Sequence, residues 1–228
     1  VAIGHSSMLS NGSGTNNVGL GANTLQCSAG TVYNVAVGTK ALFLNTTGGS
    51  STAVGHQAAY YNNSDLITAV GYTALYANTT GTINTALGSC ALRFNTTGCM
   101  NTAVGFETMK FNTLGIRNTA LGSSALNANT TGCHNTAIGS YALYSSTTAD
   151  NNTGLGFQSL YYNTTGTSNT AIGRDAGLYN TTGGANTYLG TEAGRQASGS
   201  HDIVAIGYRS AYNNQGSRII AIGTSVLY

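Results

Sequence analysis

A regular repeat that runs from one end of the sequence to the other constrains this chain more than any other feature. Its clearest mark is a glycine that closes a tetrad of the type Thr-Ala-(Val/Ile/Leu)-Gly. Eleven of the thirteen intervals between successive tetrad glycines span seventeen positions, as from Gly88 to Gly105, and two span sixteen, as from Gly55 to Gly71. Because such regular self-similarity is the signature of a stacked repeat protein, we interpret residues 1–228 as a single continuous array, and as an excerpt of a longer fibre protein. The tetrad glycines are Gly4, Gly21, Gly38, Gly55, Gly71, Gly88, Gly105, Gly122, Gly139, Gly156, Gly173, Gly190, Gly207 and Gly223.

Numbered from the tetrad threonine, the repeat reads T-A-(V/I/L)-G-x-x-A-L-x-x-N-T-T-G-x-x-N. Glycine at positions four and fourteen and the Asn-Thr-Thr-Gly cluster are turn signals, which argue against a helical repeat. The segments at positions seventeen to three and seven to ten are rich in strand-forming residues and are predicted to be strands. The predicted fold is all-β, a parallel β-solenoid (β-roll) of about 13 coils, each of which completes one copy of this seventeen-position repeat. Turn glycines are predicted at Gly55, Gly71, Gly88, Gly105, Gly122, Gly139, Gly156 and Gly173.

Charge and composition narrow the range of functions. Only 6% of the residues are charged, the formal net charge is +2, and the chain has no proline or tryptophan. There is no clustered basic patch of the kind on which nucleic-acid binding depends, so no nucleic-acid partner is expected. No apolar run is long enough to span a bilayer, so no membrane insertion of this segment is expected. The carboxylates, histidines and cysteines form no catalytic, cofactor-binding or metal motif, and we predict a protein that is not an enzyme and uses no cofactor.

The predicted strands carry apolar side chains on both faces. Adjacent strand residues point in opposite directions, so the small residue at position two and the branched residue at position three cannot share a face. One face must line the interior of the coil, and the other must be covered by a second apolar surface. Because another copy of the chain would supply such a surface, the pattern predicts a homo-oligomer. The pattern alone leaves open which face lies inside; the simpler arrangement has the larger residue inside and the alanine row outside. The predicted assembly is a trimer around the alanine-rich face or a laterally packed filament.

The blocks NTALG, NTAVG and NTAIG, at residues 84–88, 101–105, 135–139 and 169–173, are each followed by a short alanine-rich segment. These blocks resemble the SVAIG-type repeats of the YadA-like heads of trimeric autotransporter adhesins, and related repeats occur in phage and large-virus fibre proteins. The resemblance covers the whole chain. It implies a left-handed parallel β-roll, three chains around one axis, and an extracellular location on a cell surface or in a virion fibre. The unit length differs, since the adhesin heads use repeats of about fourteen residues.

Asparagine at position eleven is predicted to form a ladder. Side chains at equivalent positions of stacked coils lie in register, and asparagine ladders can hydrogen-bond from coil to coil. The alternative is N-glycosylation, because nine Asn-X-Ser/Thr sequences are present and eight of them place their asparagine at position eleven; we expect sparse glycans or none. The predicted ladder consists of Asn45, Asn78, Asn95, Asn112, Asn129, Asn163 and Asn180.

Aromatic residues at positions nine and ten form a rough stripe. They are predicted to cover a strand edge or an oligomer seam, or to contact a carbohydrate or a receptor, since tyrosine is enriched at interfaces. The candidate surface-binding aromatics are Tyr60, Tyr61, Tyr76, Tyr144, Tyr161, Tyr162 and Tyr179.

We therefore expect a structural and adhesive extracellular fibre segment, whose partners are copies of itself and a cell-surface receptor or glycan. The alternative is a self-assembling filament that binds no receptor. A third hypothesis is ice binding by stacked threonines. Regular ice-binding arrays need two threonines on one face of a strand, whereas the threonines at position one stand in single file.

Overall fold

The computed structural model describes residues 1–228 and consists of strands and turns without a helix. It divides into two compact units, Val1–Leu114 and Gly115–Tyr228. The strands of the first unit are β1 (Ala2–Ile3), β2 (Val18–Leu20), β3 (Val35–Val37), β4 (Thr52–Val54), β5 (Thr68–Val70), β6 (Thr85–Leu87) and β7 (Thr102–Val104). The strands of the second unit are β8 (Thr119–Leu121), β9 (Thr136–Ile138), β10 (Thr153–Leu155), β11 (Thr170–Ile172), β12 (Thr187–Leu189), β13 (Ile203–Ile206) and β14 (Ile219–Ile222).

Within each unit, strands that follow one another in sequence pair in parallel. Equivalent repeat positions are partners, so that Ala86 on β6 faces Ala103 on β7 and Thr153 on β10 faces Thr170 on β11. The offset between partners is seventeen positions, except that it is sixteen between β4 and β5 and between β13 and β14. The predicted parallel β-solenoid of about 13 coils, with a repeat of this length, is therefore confirmed.

The prediction of a second strand in each coil, at positions seven to ten, is wrong. This segment is a series of turns in which residues at positions six and eight have positive φ, for example Cys90 at 59° and Leu92 at 49°. Because φ is positive at positions six and eight, this segment does not follow the in-and-out alternation of a strand. Ala91 and Leu92 are therefore both fully buried although they are adjacent in sequence. Hydrogen bonds still join the coils here, as from the Leu75 amide to the Ala91 carbonyl at 2.9 Å.

The core has the opposite arrangement from the one expected at positions two and three. Ala36, Ala53 and Ala86 at position two are fully buried, whereas the branched residue at position three is partly or fully exposed. The reason is the width of the coil. Its interior is filled from the other side by leucine at position eight, so the strand has space only for a methyl group. At Gly154, even a Cβ atom would lie 2.9 Å from the Ser159 hydroxyl.

Tyr188 is the one large residue at position two, and two glycines accommodate it. Gly177 and Gly194 replace the leucine of position eight in the preceding coil and in its own. A Cβ atom at Gly177 would approach the Tyr188 ring to 2.6 Å, and one at Gly194 would collide with the same ring. The ring is fully buried, and its hydroxyl has no hydrogen-bond partner. Burial raises the pKa of this phenol, which is neutral at physiological pH.

The eight predicted turn glycines all have φ between 128° and 139°. This region is essentially restricted to glycine. Gly88 also lies so close to Gly105 in the next coil that an added Cβ atom would collide with the Gly105 carbonyl. The tetrad glycine is therefore required both by conformation and by the close stacking of the turns.

Candidate interaction surfaces

The outward face of the strands carries an uncovered aliphatic row, formed by the residue at position three of each coil. The exposed fractions of Leu87, Leu121 and Leu155 are 46%, 50% and 42%. Contiguous exposed apolar surface of this kind marks interaction sites in soluble proteins. The outer aliphatic row consists of Ile3, Leu20, Val37, Val54, Val70, Leu87 and Val104 in the first unit and of Leu121, Ile138, Leu155, Ile172, Leu189, Ile206 and Ile222 in the second.

Further apolar and hydroxyl side chains accompany this row. Threonine at position one is exposed or half-buried and shares the outward face, because it is two residues away along the strand. At position five, Tyr72, Phe106, Phe157 and Tyr208 are 46% to 55% exposed. The strand face and the adjoining turn thus present an apolar surface with a row of hydroxyl groups.

Tyrosine and phenylalanine side chains at positions nine and ten stack in aromatic columns, one segment of which lies in each unit. In the first unit Tyr60 lies between Phe43 and Tyr76, with ring centroids 5.0 and 5.2 Å apart. Tyr61 contacts the edges of both Tyr60 and Tyr76. All three predicted tyrosines of this unit therefore belong to one cluster.

The second unit repeats the pattern. Tyr144 stacks on Tyr161 with ring centroids 5.0 Å apart, and Tyr162 stacks on Tyr179 at 5.0 Å with an interplanar angle of 7°. Tyr161 and Tyr162 meet edge to face at 4.6 Å. The separation of the stacked rings is close to the spacing of paired strands, so the coils themselves set it.

Stacking determines what the aromatic columns can offer to a ligand. Rings of neighbouring coils cover both faces of the Tyr60 ring, whereas Tyr144, Tyr161, Tyr162 and Tyr179 each stack on one ring, so stacking reduces the ring area that a partner can reach. Burial, and secondarily the neighbouring tyrosines, raise the pKa of Tyr60 and Tyr161. These phenols are therefore neutral hydrogen-bonding groups at physiological pH.

Near the end of the second unit an arginine continues the column. The Arg195 guanidinium lies 5.4 Å from the Tyr179 ring centroid and 5.7 Å from that of Tyr212. Its Nη1 donates a hydrogen bond to the Tyr212 hydroxyl at 3.2 Å. An open cleft of about 420 Å³ lies beside it, lined by Tyr179, Thr181, Arg195, Gln196, Ser198 and Gln215. We call it the Arg195 cleft.

A separate group of charges in the second unit is internally neutralised. Glu192 is only 7% exposed and accepts a 2.5 Å hydrogen bond from Nε of Arg209 and a 3.0 Å bond from Nη2 of Arg174. Arg174 also pairs with Asp175 at 3.3 Å. The hydrogen bond from Arg209, followed by the charges of the surrounding arginines, lowers the pKa of Glu192. These arginines have carboxylate partners, whereas Arg195 takes part in no ion pair.

The seven predicted ladder asparagines at position eleven are fully buried, and in the first unit the amides of this row join the coils. Nδ2 of Asn95 donates to Oδ1 of Asn78 at 2.8 Å, and Nδ2 of Asn112 donates to Oδ1 of Asn95 at 2.7 Å. Asn95 also closes its own turn by donating to the Gly98 carbonyl at 2.9 Å, and Asn45 and Asn78 make the equivalent bond. In the second unit Asn163 and Asn180 make the turn bond but leave Oδ1 without a partner.

This burial bears on glycosylation. Seven of the eight sequon asparagines at position eleven are fully buried, and Asn11 is half-buried. A glycan on a buried Nδ2 would displace the donor that closes the turn, so these seven sequons are incompatible with a glycan in the folded chain. Asn151, at position sixteen, is the exposed sequon.

A second asparagine ladder, at position seventeen, was missed by the sequence analysis. Oδ1 of Asn135 accepts from the backbone amide of Asn152 at 2.9 Å, and Oδ1 of Asn152 accepts from that of Asn169 at 2.9 Å. Their Nδ2 groups donate to carbonyls one coil further, such as Gly166 at 2.8 Å. Strand alternation could have predicted this ladder. Positions seventeen and two are two residues apart along the strand, so both point to the interior of the coil.

The remaining polar side chains form no metal centre. No group of three or more His, Cys, Asp or Glu side chains is arranged to hold a metal ion. All four cysteines are free thiols in the single chain, and Cys90 is buried with its Sγ 3.4 Å from the Thr73 hydroxyl.

Comparisons with protein families, with curated proteins and with solved structures find no match to this chain. The structure has no helix that is long and apolar enough to cross a bilayer.

Proposed function

We propose that this chain is a non-enzymatic segment of an extracellular fibre, in which three copies associate and present a repetitive surface for attachment to a host or another surface. The observation that carries the proposal is the outer aliphatic row, whose members are exposed or half-buried in the single chain in both units. The expected trimer and extracellular location rest on the resemblance of the NTAVG-type blocks to the repeats of trimeric adhesin heads.

The outer aliphatic row replaces the alanine row as the proposed seam between chains. Alanine at position two is inside the coil and cannot meet a neighbouring chain. Burying the exposed half of one aliphatic side chain contributes about 1 kcal/mol. Because the row recurs in every coil, a modest gain for each side chain accumulates into a stable association.

Attachment is proposed for the surfaces that the seam leaves free. The aromatic columns leave Tyr61, Tyr162 and Tyr179 partly accessible, with exposed fractions of 41%, 41% and 38%. A repeated weak contact gains strength through avidity, because each additional contact is made within an already bound assembly. The alternative is a filament in which the coils only build length and no receptor is bound.

The oligomeric state tests the seam. Sedimentation equilibrium should give the mass of three 23.2 kDa chains, about 70 kDa. Replacing Leu121 and Leu155 with aspartate should dissociate the assembly, whereas Thr165→Asp, at an exposed turn position, should leave the mass unchanged. A wild-type protein that remains monomeric at micromolar concentration would refute the oligomer.

A binding assay tests attachment. The assembled protein should adhere to cells or to immobilised glycans, and the double variant Tyr161→Ser, Tyr162→Ser should adhere more weakly. Tyr33→Ser serves as the control, because Tyr33 is 62% exposed and stacks on no other ring. The absence of adhesion to every surface tried would favour the purely structural filament.

Ice binding is a second candidate, favoured by one observation. Threonine at position one and the branched residue at position three share the outward face of β4 to β12, which gives that part of the face two repeating rows. This face is also the proposed seam, so ice binding requires that the seam be unoccupied. Thermal hysteresis of the wild type, measured at dilutions where sedimentation shows the monomer, should be present if this face binds ice, and its absence would exclude this candidate.

A further inference from the structure

We infer that the Arg195 cleft binds a saccharide that carries a carboxylate group. This inference rests on the proposed attachment function and identifies the chemistry of one contact within it. The cleft lies in the second unit, where the turns of three successive coils meet around Tyr179, Arg195 and Gln215.

Arg195 is a positioned cation that makes no salt bridge, because Glu192, the carboxylate whose charge it feels, is paired with Arg174 and Arg209. The aromatic rings of Tyr179 and Tyr212 flank its guanidinium, and one hydrogen bond to the Tyr212 hydroxyl fixes its orientation. Its Nε is buried and has no hydrogen-bond partner. The planar guanidinium group is suited to bind a carboxylate through two parallel hydrogen bonds. Because flanking rings already hold it, little side-chain entropy would be lost when an anion binds.

The other groups of the cleft are neutral and polar. Thr181 and Ser198 contribute hydroxyls that hydrogen-bond to each other at 3.1 Å, and Gln196 and Gln215 contribute amides. Hydroxyls and amides can both donate and accept, which matches the hydroxyl groups of a sugar. No carboxylate lines the cleft, and the charge of Glu192 near Arg195 is offset by its pairs with Arg174 and Arg209.

The rest of the chain disfavours other anionic partners. A nucleic acid needs several cations along its backbone, whereas Arg195 is the only charged residue that lines the cleft and the net charge of the chain is +2. A small anion such as acetate would use the guanidinium but leave the hydroxyls and amides unused. The combination of one cation with several neutral donors and acceptors therefore indicates an acidic saccharide.

Titration calorimetry with two matched pairs of probes tests this inference on the wild-type assembly. The pairs are 3′-sialyllactose with its methyl ester, and trigalacturonate with its methyl ester. Each acidic probe should bind at least about tenfold more tightly than its neutral partner, because a hydrogen bond to a charged group is lost in the neutral form. Acetate should bind at least about tenfold more weakly than either acidic saccharide.

Variants locate the site. Arg195→Gln should weaken binding of the acidic probes on the order of tenfold, while Arg195→Lys should recover only part of the affinity because it keeps the charge but lacks the planar fork. Arg93→Gln is the matched control, since Arg93 also occupies repeat position nine and lies beside an aromatic ring, 5.3 Å from the Phe94 centroid, but is outside the cleft. Circular dichroism and sedimentation verify that each variant is folded and assembled.

The outcomes separate this inference from the proposed function. Failure of both acidic probes to bind, equal binding of acidic and neutral probes, or unchanged binding by Arg195→Gln would overturn the acidic-saccharide site. If adhesion to cells persists in any of these cases, the proposed function stands without this site. If adhesion to cells is also absent, the attachment function fails as well.

Discussion

At the scale of single residues, buried asparagines take the place that apolar side chains occupy in most cores. The position-eleven amides of Asn78 and Asn95 are bonded from coil to coil, those of Asn163 and Asn180 close only their own turns, and the position-seventeen amides bond to the adjacent coil. A buried polar group contributes to stability only when its donors and acceptors are satisfied. The requirement for asparagine is therefore geometric, since the same side chain must donate to a turn carbonyl and reach an equivalent residue in the adjacent coil.

Replacing Asn95 with alanine should lower the free energy of unfolding by about 2 kcal/mol or more, because the Asn78 Oδ1 loses its donor and the Asn112 Nδ2 loses an acceptor within the core. Urea unfolding followed by circular dichroism measures the change. Thr97→Ala is the control, since Thr97 is exposed at position thirteen, and it should change stability by less than about 0.5 kcal/mol. Equal effects of the two substitutions would contradict a stabilising role for the ladder.

The asparagine row at position eleven could be predicted from the sequence, whereas the row at position seventeen was not. Position eleven stands in an evident turn cluster, as in Asn95 followed by two threonines and Gly98. Position seventeen precedes the strand, and its burial follows only when the inward face is assigned correctly. Expecting the larger residue inside reversed the two faces, so Asn135 and Asn152 were not recognised as core residues.

At the scale of one coil, the strand and its tight turn followed from the sequence, whereas the conformation of positions six to eight did not. Leucine disfavours positive φ, at a cost of roughly 1 to 2 kcal/mol. Leu92 nevertheless has a φ of 49° and is fully buried. Burial of a leucine side chain contributes about 1.5 to 3 kcal/mol, so packing outweighs the local preference. No single-residue propensity would have predicted this.

Tyr188 shows how one coil compensates for a change in its core. Tyr188→Ala alone should cost about 3 kcal/mol or more, because Gly177 and Gly194 cannot fill the space it leaves. Gly194→Leu alone should also destabilise the protein, since its side chain would collide with the Tyr188 ring. The double variant restores the consensus alanine and leucine of this coil and should be more stable than the sum of the single effects predicts.

Urea unfolding of the four proteins in this cycle gives the coupling energy, which should be at least about 2 kcal/mol. Strictly additive effects would show that the ring and the glycine do not share one space. Leucine is acceptable at position 194 in other respects, because Gly194 has a φ of 59° and the leucines at this repeat position have similar values.

At the scale of the whole chain, the register of the repeat determines which residues of neighbouring coils pair with each other. Within each unit a coil pairs only with the coils before and after it, so stability is expected to be a sum of coil and neighbour terms. The two shorter coils, which end at Ile67 and Ile219, keep the strand register because each lacks one residue in its turns. A coil can therefore have sixteen or seventeen residues, provided that its backbone returns to the same strand position in the next coil.

Removing one complete coil should consequently be tolerated, whereas removing part of a coil should not. Deleting residues 136–152 joins Asn135 to Thr153, which recreates the Asn-Thr junction that precedes the full-length strands of this unit up to β12. We expect this variant to retain the β-type circular dichroism spectrum and to unfold cooperatively with slightly lower stability than the wild type.

Deleting only residues 136–144 removes the strand but leaves the turn that followed it, so Asn135 and Ser145 become adjacent and the asparagine ladders lose their register. That shorter deletion should lower the melting temperature more than the longer one. If the shorter deletion were the better tolerated of the two, the side chains of successive coils would not need to superpose, and the solenoid register would not be what holds the chain together.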